Sequence, residues 1–182
     1  MEVEHSQRKT TMVVFGRFQP FHNGHLEMLK VAAGKADRIN VLISDLPKSR
    51  HAVLKSMRSE DNPFSFEDRK AMIENALLES GIPKEKFVVE PLVRHLVNLT
   101  FNHKADQTDF QIARHGHPSE IIAFYLKVLR GRIGVLDVNS GQTFSGTEIR
   151  KLIREKGKWG HMVPPSTATR IVEKLRRAQG SI

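Results

Sequence analysis

Five short runs rich in β-branched and apolar residues, at positions 12–15, 39–44, 87–92, 110–113 and 133–138, alternate with stretches of helical periodicity. That alternation limits the possible folds more than any other feature. A strand, a helix and a second strand in one sheet close through a right-handed crossover, so the strands pair in parallel and the helices cover them. The expected fold class is therefore α/β, a parallel sheet flanked by helices. In such sheets ligands sit at the carboxyl ends of the strands, where the strand order reverses.

The helical patterns are specific enough to place. Leu26, Leu29 and Ala33 repeat at i, i+3 and i+7, and Met72, Ile73, Ala76 and Leu77 form a stripe within residues 66–80, ended by Gly81 and Pro83. The last third reads as a helical C-terminus. Ser145 and Glu148 have the spacing of a capping box, with the hydroxyl accepting from an early N–H and the carboxylate reaching back. Ile149, Leu152 and Ile153 follow, and Gly157 is the expected stop. Pro164 and Pro165 reset the chain, and Ala168, Ile171, Val172 and Leu175 give the expected buried face of a final helix. Its basic residues, Arg170, Lys174, Arg176 and Arg177, read first as a solvated face.

At 182 residues the expectation is one domain over residues 11–182 behind a flexible tail at 1–10. The longest uninterrupted apolar run, residues 121–126, is far short of the ~18 to 20 residues that cross a bilayer, so no membrane segment is expected. The N-terminus has no apolar stretch behind a basic flank, which argues against a secretory signal and for a cytoplasmic protein. Cysteine is absent, removing disulfides, thiolate nucleophiles and Cys-based zinc sites. The net charge of +9 attracts phosphate-rich partners. Aromatic residues make up only 7% of the chain, fewer than base-stacking single-strand binders tend to expose, so nucleic acid is not expected among the partners.

The chemistry concentrates at two places. The first strand runs into GRFQPFHNGH at 16–25, where Gly16 permits a sharp turn, Pro20 ends the strand and Gly24 leaves the next helix start uncovered. Free helix amides there make an anion site, toward which His22, His25 and the guanidinium of Arg17 can point. Two surface histidines, or half of a metal site, are the competing readings. The pair His115 and His117 reads as solvent-facing or ligand-lining rather than metallic. The second place is SGTEIR at 145–150, where Ser145, Thr147 and the early amides offer donors and Arg150 can fold back toward the same charge. Plain capping is its competing reading. Two anion sites suit a molecule with several phosphates.

GRFQPFHNGH after a first strand, with SGTEIR opening a late helix, resembles the nucleotidylyltransferase superfamily. More closely it is similar to the nicotinamide mononucleotide adenylyltransferases of the archaeal type and the bacterial ones fused to hydrolase domains. RSEDNPFSFEDRKAMI at 58–73 and KWGHMVPPST at 158–167 extend the resemblance. It implies a Rossmann-like fold and transfer of adenylate from ATP to nicotinamide mononucleotide, giving NAD and pyrophosphate, with Mg2+ accompanying the triphosphate. Carried over, Arg17, His22, His25 and Arg150 are the catalytic phosphate-binding residues. Gly16, Phe18, Gly24, Ser145, Gly146 and Thr147 line the ATP site, and Arg58 and Asn62 border the mononucleotide. No residue is assigned as a metal ligand. The family's Asn-x-x-Trp appears as Asn98 and Phe101, expected to meet the carboxamide and the pyridine ring, and ISDLPKSRHAVLK replaces a Gly-Ser-Ala-Gln-like stretch. A homo-oligomer is expected. The rival readings are pantetheine-phosphate adenylyltransferase, a cytidylyltransferase, or a non-catalytic phosphate- or nucleic-acid-binding module.

Overall fold

A computed structural model describes residues 10–44, 62–92, 94, 109–114, 133–137 and 144–179. Within them lie β1 (Thr10–Gly16), α1 (Asn23–Lys35), β2 (Arg38–Ile43), α2 (Phe66–Glu79), β3 (Phe87–Pro91), β4 (Asp109–Arg114), β5 (Ile133–Asp137), α3 (Gly146–Arg154) and α4 (Pro165–Gln179). Residues 1–9 of the expected N-terminal tail, with Arg58, Asn98, Phe101, His115 and His117, lie outside the described residues, whereas Thr10, placed in that tail, is the first residue of β1.

The five strands form one sheet in the order β3-β2-β1-β4-β5, and every neighbouring pair is parallel. This is the expected Rossmann-like arrangement. The order reverses at β1, so the crevice beyond the carboxyl ends of β1 and β4 is where ligands of such a sheet bind. β1 reads as a nearly continuous apolar run because it is buried on both faces: Met12, Val13 and Val14 are all fully buried. Met12 and Val14 join Ile39, Val41, Ile43, Phe87 and Val89 on one face, packed under Leu29, Ala32, Ile73, Ala76 and Leu77 of α1 and α2.

Each helix has a local reason to begin and end. Ser65 and Asp68 cap α2 reciprocally, and Gly81 past its end takes the left-handed φ of 78° that a side chain would resist. At α3 the structure shows the Ser145 hydroxyl accepting from Glu148 N at 3.1 Å, one half of the expected box. The stop of α3 differs from expectation. The helix ends at Arg154, and the left-handed residue is Lys156, with φ 54°, not Gly157. A Cβ on Gly157 would lie 2.9 Å from Leu152 Cδ2, the end of a side chain that can turn aside.

The face of α4 is the expected one at Ala168 and Ile171 but not at Val172 and Leu175. Thr167 and Ile171 are buried, whereas Val172 and Leu175 are 37% and 39% exposed. The cause is ionic: Arg170 Nε and Lys174 Nζ reach the two oxygens of Asp68 on α2 at 3.1 and 2.9 Å. A helix presenting residues 167, 170, 171 and 174 to its neighbour turns 172 and 175 outward. So two of the four basic residues read as a solvated face, Arg170 and Lys174, pair with Asp68.

Partial burial of Asp68 opposes its ionisation, but hydrogen bonds from Lys174 and Ser65, with the Lys174 charge, outweigh it and hold the pKa at about 2 against 3.8. A depressed carboxyl adds stability that is present above the unfolded pKa and is lost as pH falls through the folded one. Asp68→Asn is therefore expected to lower the unfolding free energy by about 1 to 2 kcal/mol at pH 7, the partners being partly exposed, and to cost little near pH 2. Denaturant unfolding at both pH values checks this. An equal loss at both would assign the effect to something other than the charge.

Candidate active site

β1 ends at Gly16, and the next six residues carry the chain to α1. Phe18 takes the left-handed φ of 51° and the Gln19–Pro20 peptide is cis. The aromatic rings of this loop do not face solvent: Phe18 is 1% exposed and Phe21 fully buried. The ring of Phe18, a residue expected at the ATP site, packs in the core. Gly16 is shaped by that ring, since a Cβ there would stand 3.1 Å from two Phe18 ring carbons.

The two histidines cap the helix that they begin. His22 is the N-cap, its Nδ1 3.4 Å from His25 N, and His25 Nδ1 lies 3.3 Å from His22 N. The rings stack with centroids 3.6 Å apart, Phe18 meets His25 edge-on at 4.9 Å and Phe21 stacks on it at 5.6 Å. His22 is buried at 7% exposure, unlike a surface histidine. With Nδ1 of each ring receiving a backbone N–H, Nε2 is the protonated nitrogen of each neutral ring. The pair thus has the form of two N–H donors at the amino end of a helix, which suits phosphate oxygens. Gly24 lies in the first turn of α1 beside them.

The start of α3, the second expected anion site, is docked on this loop. At the start of α3 a Cβ on Gly146 would fall 2.7 Å from the Gln19 carbonyl oxygen, so only glycine allows the approach. Arg150 is buried, donating from Nη1 to the same Gln19 carbonyl and from Nη2 to Thr147 Oγ1 at 3.2 Å. The guanidinium does fold back toward its helix start, as expected, but these donors bind protein oxygens and clamp α3 to the first loop. The amino ends of α1 and α3 are thereby held on one loop at the end of β1.

Sequence reasoning missed the residues that hold the loop. Gln19 pairs its side-chain amide with the main chain of Phe64, Nε2 to O at 2.8 Å and Oε1 from N at 3.0 Å. This ties the loop to the segment carrying Asn62, which is half-buried two residues earlier. Arg69, 2% exposed, donates from Nη1 to the Arg17 carbonyl at 3.0 Å and from Nε to Ser65 O at 3.1 Å. Asn23 reaches across to the His161 carbonyl at 2.9 Å. Arg69 left a signal: it precedes Met72 and Ile73 by three and four, so the stripe itself puts a charge on the inward face. Nothing comparable marked Gln19. Among the described residues no three His, Asp or Glu converge as metal ligands.

A reversed parallel sheet with paired helix amino ends at its switch point defines a nucleotide-handling α/β protein. The sequence pattern of the cytidylyltransferase-like family matches residues 13–152, most of the chain. The chain belongs to that family of nucleotidyltransferases. It is 32% identical to a nicotinamide-nucleotide adenylyltransferase of Picrophilus torridus, over 89% of each chain. It is 28% identical to a phosphonoformate cytidylyltransferase of Streptomyces viridochromogenes, over 90% of this chain and 91% of that one. A bifunctional NMN adenylyltransferase/ADP ribose pyrophosphatase from Francisella tularensis superposes with a TM-score of 0.65 at 26% identity. The match covers 85% of this chain and 45% of that one, so the chain spans less than half of the bifunctional protein. The resemblance read from residues 16–25 and 145–150 is the one that these comparisons find. Among the described residues no helix is long and apolar enough to cross a membrane.

Proposed function

We propose that the protein transfers adenylate from ATP to the 5′-phosphate of nicotinamide mononucleotide, giving NAD and pyrophosphate. The observation that carries this is the junction of Gly146 and Arg150 with the Gln19 carbonyl, which holds the start of α3 on the loop that leads into the histidine pair and α1. A triphosphate meeting a second phosphate needs such a concentration of donors. The relatives named as nicotinamide-nucleotide adenylyltransferases support the choice of adenylate and acceptor.

An acceptor phosphate oxygen attacks the α-phosphorus, the new P–O bond forming as the bond to the pyrophosphate oxygen breaks. The attacking group is already ionised, so no residue has to remove a proton. What the protein supplies is alignment and donors for the charge on the five-coordinate phosphorus. His25 and His22 give Nε2–H donors, the early amides of α1 and α3 receive the phosphate chain, and Arg17 adds charge at the end of β1. Ser145, Thr147 and Arg150 shape the α3 side, and Arg58, Asn62, Asn98 and Phe101 are assigned to the mononucleotide. The described donor set is imidazole, amide and guanidinium, which fits phosphate oxygens and not a hard cation. Mg2+ would therefore be held through the triphosphate itself, where it lowers the charge that the acceptor must approach. A cytoplasmic homo-oligomer belongs to the same proposal.

Incubating the protein with ATP or CTP, Mg2+ and a panel of phosphate acceptors, and measuring pyrophosphate release, tests the reading. NAD from ATP and the mononucleotide is the expected product. The Streptomyces viridochromogenes relative, matched over a similar share of the chain, favours cytidylyl transfer as the second reading. Release from CTP and not from ATP would establish that one.

A further inference from the structure

Burying a guanidinium is costly unless its donors are met, so a fully enclosed arginine on a helix stripe of Met72, Ile73, Ala76 and Leu77 needs a reason to be there. The structure assigns Arg69 as a positioning residue for the transfer, acting on His25 through the main chain of the first loop. Its fork bridges two carbonyls in different segments, Ser65 O at the start of α2 and Arg17 O at the end of β1.

The Arg17 carbonyl belongs to the peptide that leads into Phe18, the left-handed residue of the loop. That conformation is unfavourable for a non-glycine residue and persists where the surroundings fix it. Arg69 fixes the peptide before Phe18, and Arg150 fixes the Gln19 carbonyl after it. The ring held between them stands edge-on beneath His25 at 4.9 Å. The same peptide unit carries the Arg17 side chain. Loss of the bridge would therefore let the loop and the His25 ring drift from the position in which the donor meets the reacting phosphate, without removing any group that touches substrate.

The kinetic part of this inference rests on the proposed adenylyl transfer; the effect on the His25 ring does not. Arg69→Lys keeps the charge but cannot span both carbonyls with a planar fork. In the pyrophosphate assay its kcat is expected to fall on the order of tenfold to a hundredfold, with the KM for ATP changing far less. In the nucleotide-free protein, the 15N and 13C resonances of the His25 ring should shift while those of His161 hold. Arg69→Ala should regain part of its kcat when guanidinium ion is added at concentrations that leave the thermal midpoint unchanged, which a merely structural arginine would not allow. Phe18→Leu provides a second route should the arginine variants be unstable, and it too should lose kcat with the KM for ATP held. A folded Arg69→Lys with near-normal kcat and unmoved His25 resonances overturns the assignment, as does a folded Phe18→Leu with full kcat. If the wild-type protein turns over no acceptor, the reaction reading fails, and the His25 resonances in Arg69→Lys alone decide the positioning role.

Discussion

His25→Ala is expected to lower kcat by about a hundredfold or more, the usual loss for one donor that meets charge developing in a transition state, with a much smaller change in KM. The ring is one of the most constrained side chains at the site, with Phe18 at its edge, Phe21 and His22 on its faces and Nδ1 against His22 N. That packing fixes its direction before substrate arrives, so the donor needs no reorganisation during the reaction. The substitution also removes one half of the reciprocal cap on α1, at a cost of roughly 1 kcal/mol in stability. Thermal unfolding of the variant separates the two effects. A folded His25→Ala with near-normal kcat would remove the histidine from the chemistry.

Gly146→Ala is the second substitution with a large expected effect, although it deletes nothing. Its new Cβ would lie 2.7 Å from the Gln19 oxygen and 3.3 Å from the Gln19 carbonyl carbon, both main-chain atoms that cannot swing aside. Either α3 moves out or the first loop moves back, and both separate the two helix amino ends. The expected result is a loss of roughly 1 to 3 kcal/mol in stability, as for other overpacked sites, and a fall in kcat/KM of about tenfold or more from misplacement. Gly34→Ala in α1 is the control. No atom lies within 4 Å of its would-be Cβ, so it should match or slightly exceed the wild type in stability and turn over normally. Pyrophosphate release and thermal unfolding of both variants check the pair of predictions. Equal behaviour of the two would show that the contact at Gln19 is irrelevant.

What could be read from the sequence was what local chemistry dictates. The strands at 12–15 and 39–44 are apolar because parallel strands are covered on both faces, and β1 and β2 occupy Thr10–Gly16 and Arg38–Ile43. Gly81 and Ser145 mark helix ends through local backbone geometry or bonds within a few residues, which is why those ends were predictable. The histidine pair and the α3 start were legible for the same reason, each being a short motif with its own donors. Their junction was not legible. Gln19 meets Phe64 across 45 residues and Arg150 meets Gln19 across 131, and no spacing rule reaches that far. Val172 and Leu175 were misread as buried because hydrophobicity alone chose the face of α4, whereas Asp68 decided it from 102 and 106 residues away. Lys156 in a left-handed conformation was missed because Gly157 beside it looked the better candidate.

That the amino ends of α1 and α3 act as one polyphosphate site is tested most directly by titrating the 15N-labelled protein with Mg2+ and a non-hydrolysable methylene analogue of ATP. The amides of Asn23, Gly24 and His25 and those of Gly146, Thr147 and Glu148 are expected to shift together, along one binding curve with one Kd. Movement of one set without the other, or two curves with separate Kd values, would contradict it.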